Sequence, residues 1–269
     1  MREKRFIWNT ITSLTSQIVS LICGFILPQM ILKAYGTEVN GLVSSINQFL
    51  TIVSLSEFGV TAVVQSALYK PLSVNDNYKI SCIMASSAKF FRKIATVLVV
   101  YVLGLCALYP VFVKSNFDYR YIATLIAILS INSLAQYLLG ITNCQLLSAD
   151  QRVYIVSLST IAMTLLNTIG CYIVIRLGGG IHAVKLLTVV VFLIKPVVAQ
   201  LYVKKNYHVD LHVKYVDEPI KQKWNGVAQH ISYYVFNSTD VVILSIFSTL
   251  ENVSVYAVHA LILNGLKQL

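Results

Sequence analysis

Charge is scarce in this sequence, and acid scarcer still: Asp and Glu number 11 in 269 residues, and the four charged types together make up 12%. A soluble domain of ordinary composition carries about a quarter of its residues as charges, so a chain wrapped in a water-facing surface is excluded. Cysteine supplies no framework. Cys23, Cys82, Cys106, Cys144 and Cys171 form no CxxC pair, and four of them fall in apolar runs, so packed thiols are expected rather than disulfides or a zinc site. Catalytic signatures are missing too. There is no HExxH, no DxD and no serine, histidine and acid arrangement with a local signature, and the Gly178, Gly179, Gly180 run lacks the GK[ST] that would mark a phosphate loop. His208 and His212 stand four apart in HVDLH, which would suit a metal only on a helix, whereas the segment reads as a solvated loop. No enzyme activity, metal or cofactor is expected.

What the chain has is apolar length. Hydrophobic residues make up 57% and mean hydropathy is +0.71, which places it in a membrane. A helix crosses the hydrocarbon with roughly 20 apolar residues. Eight runs qualify, at about Thr10 to Leu32, Gly41 to Leu68, Ile94 to Val113, Tyr121 to Leu147, Tyr154 to Ile175, His182 to Val203, Val227 to Phe247 and Ser254 to Leu269. Barrel strands would be about half as long and would alternate. The expected fold class is therefore all-α, a polytopic membrane protein of about eight transmembrane helices. The start MREKRF resembles the basic region of a signal peptide, but the apolar run behind it is too long and lacks a small-x-small cleavage site, so it is kept as the first helix.

Basic residues set the orientation. Arg2, Lys4 and Arg5, the stretch from Lys70 to Lys93, Arg152, and the stretch from Lys204 to Lys223 all fall on one side, against Lys33, Lys114, Arg120 and Arg176 on the other. That bias predicts a cytoplasmic amino terminus. The net charge of +10 is read as this topology signal and not as a nucleic-acid patch, because it is spread over the loops. The mixed segment YKISCIMASSAKFFRKI suits a helix lying on the inner leaflet. A faint repeat pairs Trp8-Asn9 with Trp224-Asn225 and Glu38 with Glu251. It divides the chain into a six-helix lobe over residues 1–203, a cytoplasmic loop over 204–226 and the first two helices of a second lobe over 227–269.

Polar residues form seams within the spans. At 100° per residue, Asn47, Ser54, Glu57, Thr61 and Gln65 occupy about a quarter of the circumference of span two. Span one carries Asn9, Ser13, Ser16 and Ser20, with Pro28 expected to kink it. Span four carries Asn132, Gln136 and Asn143, and span seven aligns Gln229, His230, Tyr233, Asn237 and Asp240. Such seams either cement helices together or line water. Glu57, Asp240, Lys185 and Lys195 favour water, because an ionised group at mid-membrane costs roughly 2.5 to 3.5 kcal/mol even on the lenient insertion scale. Lys185 is near enough to the end of span six to snorkel, whereas Lys195, before Pro196, sits deeper.

Three segments carry a resemblance: AYGTEVNGLVSSINQFLTIVSLSEFGVTAVVQSALYKPLSVND, KPVVAQLYVKKNYHVDL and NSTDVVILSIFSTLENVSVYAVHALILNGL. Together they resemble the polysaccharide flippases of the Wzx type, in the superfamily that also holds the multidrug and toxin extrusion exporters. The resemblance implies export of an undecaprenyl-pyrophosphate-linked oligosaccharide repeat unit across a bacterial plasma membrane, for O-antigen, capsule or exopolysaccharide assembly. It also implies two six-helix lobes around a cavity that opens alternately to each side, with no cofactor. The implied partners are the lipid-linked glycan, membrane lipids, polysaccharide polymerase machinery and a separately encoded C-terminal half. On this reading Lys185, Lys195, Asn132, Gln136 and Asn143 meet the pyrophosphate and its sugars, while Glu57 and Asp240 serve as ion sites or hold a lysine. Family members usually have twelve or more helices, so a chain stopping at NGLKQL reads as a truncated or split product. The alternatives are a multidrug-type cation exporter, a non-transport scaffold, and a fragment inactive alone.

Overall fold

The computed structural model describes residues 2–53, 58–113, 116–215, 218–220 and 239–268, and among them every regular element is helical. The elements are α1 (Arg2–Thr51), α2 (Phe58–Ser73), α3 (Asn77–Phe112), α4 (Tyr119–Ala135), a π turn (Gln136–Gly140), α5 (Ile141–Ala149), α6 (Val153–Arg176), α7 (Ile181–Phe192) and α8 (Ile194–Asn206). A helical stretch α9, described over 239–247, and α10 (Leu250–Gln268) complete them. Five stretches are long and apolar enough to cross a membrane: Arg5–Thr51, Asn77–Phe112, Tyr119–Ala149, Val153–Arg176 and Ile181–Asn206. The all-α, multi-pass membrane architecture stands.

The first stretch has 47 residues, about 70 Å of helix and more than twice the hydrocarbon thickness. It is two legs. Gly36, at φ 85° and ψ 175°, is the one residue inside α1 with a non-helical backbone, in a region open in practice only to glycine. This break lies eight residues beyond Pro28, which is itself inside the helix. Contacts at successive levels show that the chain reverses there. Asn116 donates to Glu38, Tyr109 to Ser45 and Tyr101 to the Phe49 carbonyl. Further down, Ser87 and Thr61 are joined through Gln145. The second leg of α1 and then α2 therefore run antiparallel to α3 as one span, interrupted near residue 53.

The segment expected to lie on the leaflet is instead the first half of α3, a continuous helix of 36 residues. Ile80 to Ser87 are all buried, and a surface helix would bury only one side of that run. The polypeptide after α8 covers them. Asp210 N–H donates to Ser81, Ser86 donates to Glu218, and Tyr78 donates to the Lys214 carbonyl. Its longest charge-free stretch is Ile94 to Phe112, about 28 Å of helix and enough for the hydrocarbon. The first half of α3 therefore projects beyond it.

Span one packs on α6, and its polar seam is cement. Asn9 donates to the Gln151 carbonyl and accepts from Tyr154 N–H, and Ser13 lies 3.3 Å from Ser157. At this amino-terminal side of the bundle the α5–α6 turn is latched to α1 and to the end of α8. Arg152 pairs with Asp150 at 2.7 Å and donates to Tyr202, while Tyr207 donates to Asp150. On the far side Tyr35 donates to the Gly179 carbonyl, and the Tyr121 ring meets His182 edge-on at 4.5 Å. All five cysteines are free, as expected.

Helix α10 lies along α1. It starts beside Gly41, where a Cβ would stand 1.8 Å from the Leu250 carbonyl oxygen, and Asn40 donates to Ser254 at 2.8 Å. Of the faint repeat, Trp224 and Asn225 lie outside the described residues.

Two outcomes are expected from this packing. With the native cysteines replaced by serine, Asn40→Cys with Ser254→Cys should cross-link, and adding Gly41→Ala should sharply lower the yield, overpacking at such a contact costing about 1–3 kcal/mol; an unchanged yield would remove the close approach of α10. Burial first, and then the hydrogen bond to Asp150, raise the Tyr207 phenol above its ordinary value. A raised value stabilises the fold below the ordinary phenol value of about 10, and that stability is lost as pH climbs through the higher folded-state value. Thermal unfolding followed from pH 8 to 11 should show a decline above pH 10 that is smaller in Tyr207→Phe.

Candidate functional site

Three spans are interrupted close to their midpoints. The second gives way to a 3-10 turn at Ile52 and Val53, between α1 and α2. The fourth widens at the π turn, where Ile141 N–H reaches back five residues to the Gln136 carbonyl. The sixth turns at Leu193, between α7 and α8. Pro196 accounts for this last break: it has no N–H for the Phe192 carbonyl, and its ring disfavours helix at the residue before it. Breaks four and six face one another. A Cβ on Gly140 would stand 2.5 Å from Gln136 Oε1 and 3.2 Å from the Pro196 ring, so glycine lets α8 approach the π turn.

Around these interruptions lies a cavity of about 450 Å³, lined by Asn47, Thr51, Asn132, Ser133, Gln136, Tyr137 and Lys195, with Leu50, Leu129 and Ile141. Polar side chains from spans two, four and six converge on it, and Lys195 supplies its charge. Among the described residues no carboxylate lies within ion-pair distance of Lys195. Asn132 Oδ1 is buried with no hydrogen-bond partner, and an unmade bond of that kind costs about 1–3 kcal/mol. The cavity therefore presents a cation with no described carboxylate partner among polar side chains, an arrangement suited to a ligand that accepts hydrogen bonds.

A second cavity, about 530 Å³, lies between the two legs of α1 and α10 and is mostly apolar, with Phe25, Pro28, Leu32, Leu261 and Ile262 in its walls. Asn47 borders both.

The sequence-based candidates separate in space. Asn132, Gln136 and Lys195 meet in the first cavity, joined by Asn47 of the span-two seam. Asn143 does not line it; its amide donates to the Leu139 carbonyl one turn back. Lys185 does not snorkel. It is 7% exposed, packed between α6 and α7 beside Cys171, in a polar cluster where the Cys171 thiol lies 3.4 Å from Asn167 and 3.6 Å from Thr188. Asp240 is exposed near the start of α9 and accepts a bond from Tyr256. Glu57 and Ser54, like Gln229, His230, Tyr233 and Asn237, lie outside the described residues. Among the described residues no three metal-ligating side chains cluster.

Sequence patterning placed Thr61 in the span-two seam but missed its partners Gln145 and Ser87, which tie α2, α5 and α3 together, and missed Ser133 and Tyr137 as cavity residues. Gly140, four residues after Gln136 in an otherwise apolar stretch, was the signal available for the π turn. Comparison with family models, with curated proteins and with solved structures returned no match.

A water-filled cavity has a direct signature. In a background without native cysteines, Asn132→Cys and Gln136→Cys should react with a membrane-impermeant maleimide in open membranes. Leu138→Cys, 54% exposed on the other face of the same turn, should not. Equal labelling at all three positions, or none at any, would contradict a hydrated cavity at this level.

Proposed function

We propose that this chain moves an anionic, lipid-linked oligosaccharide across a bacterial plasma membrane by alternating access, with its amino terminus in the cytoplasm, as part of surface-polysaccharide assembly. The observation that carries the reading is the meeting of three mid-span interruptions around one polar cavity that holds Lys195 with no described carboxylate at ion-pair distance. Helix breaks that border a polar cavity are where transporters bind their cargo, and an ammonium among amide donors favours phosphate oxygens.

The pair of cavities supports an amphiphile. At about 450 Å³ the polar one is the size of a small-molecule site, room for a diphosphate and its first sugar rather than a whole repeat unit. The apolar one beside it, bordered by the same Asn47, is suited to hydrocarbon. The resemblance to Wzx-type flippases supplies the cargo class. A cation exporter is the weaker reading, since Lys195 would repel its substrate and no described carboxylate lines the cavity.

Binding measured on the purified chain separates the two. An undecaprenyl-pyrophosphate-linked glycan should bind, Lys195→Ala should weaken it about tenfold to a hundredfold, the range for a hydrogen bond to a charged group, and Lys195→Arg should retain most of it. Binding of lipophilic organic cations in place of the glycan would favour the exporter, and glycan binding indifferent to Lys195→Ala would remove the cavity from the mechanism.

A further inference from the structure

A second basic site stands apart from the cavity, at the surface of the membrane. Lys89 and Arg92 lie three residues apart and so project from one face of α3, just before the charge-free stretch Ile94 to Phe112. That stretch is long enough to occupy the hydrocarbon, which puts the two cations at headgroup level on the amino-terminal side of the bundle. The polypeptide after α8 folds over the same face, fixed by Tyr78 to the Lys214 carbonyl at 3.3 Å and by Asp210 N–H to Ser81 at 3.1 Å.

Between this polypeptide and α3 is a groove of about 560 Å³. Its floor is Ala85 and Ala88, its far wall Leu211, Val213 and Tyr215, and its rim Lys89, Arg92 and Lys214. The three cations are exposed, and none of them takes part in an ion pair with a described carboxylate. Two small residues on α3 leave room for the groove, and it sets apolar side chains beside three cations. A soluble anion would use the rim and leave the walls wet, whereas a lipid with a phosphodiester at the rim and its glycerol and first methylenes below would fill both.

From this geometry we infer that the groove is a binding site for an anionic phospholipid of the surrounding leaflet, with Lys89, Arg92 and Lys214 holding the headgroup. The site rests on the membrane placement of α3 and is independent of the transport reading. Each cation near an anionic lipid surface contributes a factor of roughly five to binding, so the three together are worth on the order of a hundredfold.

Native mass spectrometry of the whole chain, released from detergent in the presence of phosphatidylglycerol or phosphatidylcholine with the same acyl chains, tests the site. Phosphatidylglycerol should be retained in preference. Replacing Lys89, Arg92 and Lys214 together by serine should lower its retention at least tenfold, while Lys204→Ser with Lys205→Ser, two cations removed from α8 outside the groove, should leave it nearly unchanged. Lys89→Arg with Lys214→Arg should also retain the lipid, which separates loss of charge from loss of fold. Equal retention of the two lipids by the native chain would overturn the proposal, as would equal losses from the groove and α8 variants.

Discussion

Hydrocarbon offers no partner to a backbone N–H or carbonyl, and each orphaned group there costs several kcal/mol. A membrane-spanning helix is therefore interrupted only where protein or water takes over the lost bonds. In this protein three spans give way, at residues near 53, at Gln136–Gly140 and at Leu193, and side chains from all three border one cavity. Scattered breaks would each need separate compensation. Gathered around one polar volume, they share it. The cavity and the broken helices are the same structural fact, seen once from the solvent and once from the backbone.

The few charges are placed by the same rule. Apart from Lys185 and Lys195, the described basic residues stand at or near helix ends, beside the Gly36 break, in connections, or, for Lys89, Arg92 and Lys93, where the projecting half of α3 meets its charge-free stretch. Arg152 is the most constrained of these: the Asp150 carboxylate, the Tyr202 hydroxyl and the faces of Tyr202 and Tyr207 enclose it. This latch closes the amino-terminal side of the bundle at the turn between α5 and α6, and Asn9 of α1 is bonded to the same turn. The projection of α3 beyond the hydrocarbon follows from length alone, since 36 residues make about 54 Å of helix. The buried run Ile80 to Ser87 then needs a cover, which the polypeptide after α8 provides.

Sequence periodicity captured what depends on one helix at a time. Apolar length located spans four, five and six to within a few residues, whereas most of the expected span Val227 to Phe247 lies outside the described residues, and the seam of span four delivered Asn132 and Gln136 to the cavity with Lys195. It missed what depends on how helices meet. Pro28 is the familiar helix breaker, yet within α1 the chain turns at Gly36, because reversing direction needs a backbone angle that proline does not have and glycine does. The run YKISCIMASSAKFFRKI looks amphipathic because its apolar residues face other protein rather than lipid, and composition does not distinguish the two. Asn143 shares the line of Asn132 and Gln136 on an ideal helix, but the π turn between them inserts a residue and rotates it away, so its amide bonds within its own helix.

Lys185 and Lys195 look equivalent in sequence, and the structure gives them opposite surroundings. Ten residues of helix put them about 15 Å apart along the axis, and the turn at Leu193 falls between them. Lys185 is enclosed by protein, beside Cys171 and its Asn167 and Thr188 neighbours, whereas Lys195 faces the open cavity. A lysine in a hydrated cavity keeps much of its solvation, so its charge is tolerated without a fixed anion. A carboxylate partner would stabilise the empty cavity and, by the same attraction, compete with any anionic ligand. With no described carboxylate at ion-pair distance, that attraction is open to whatever displaces the water.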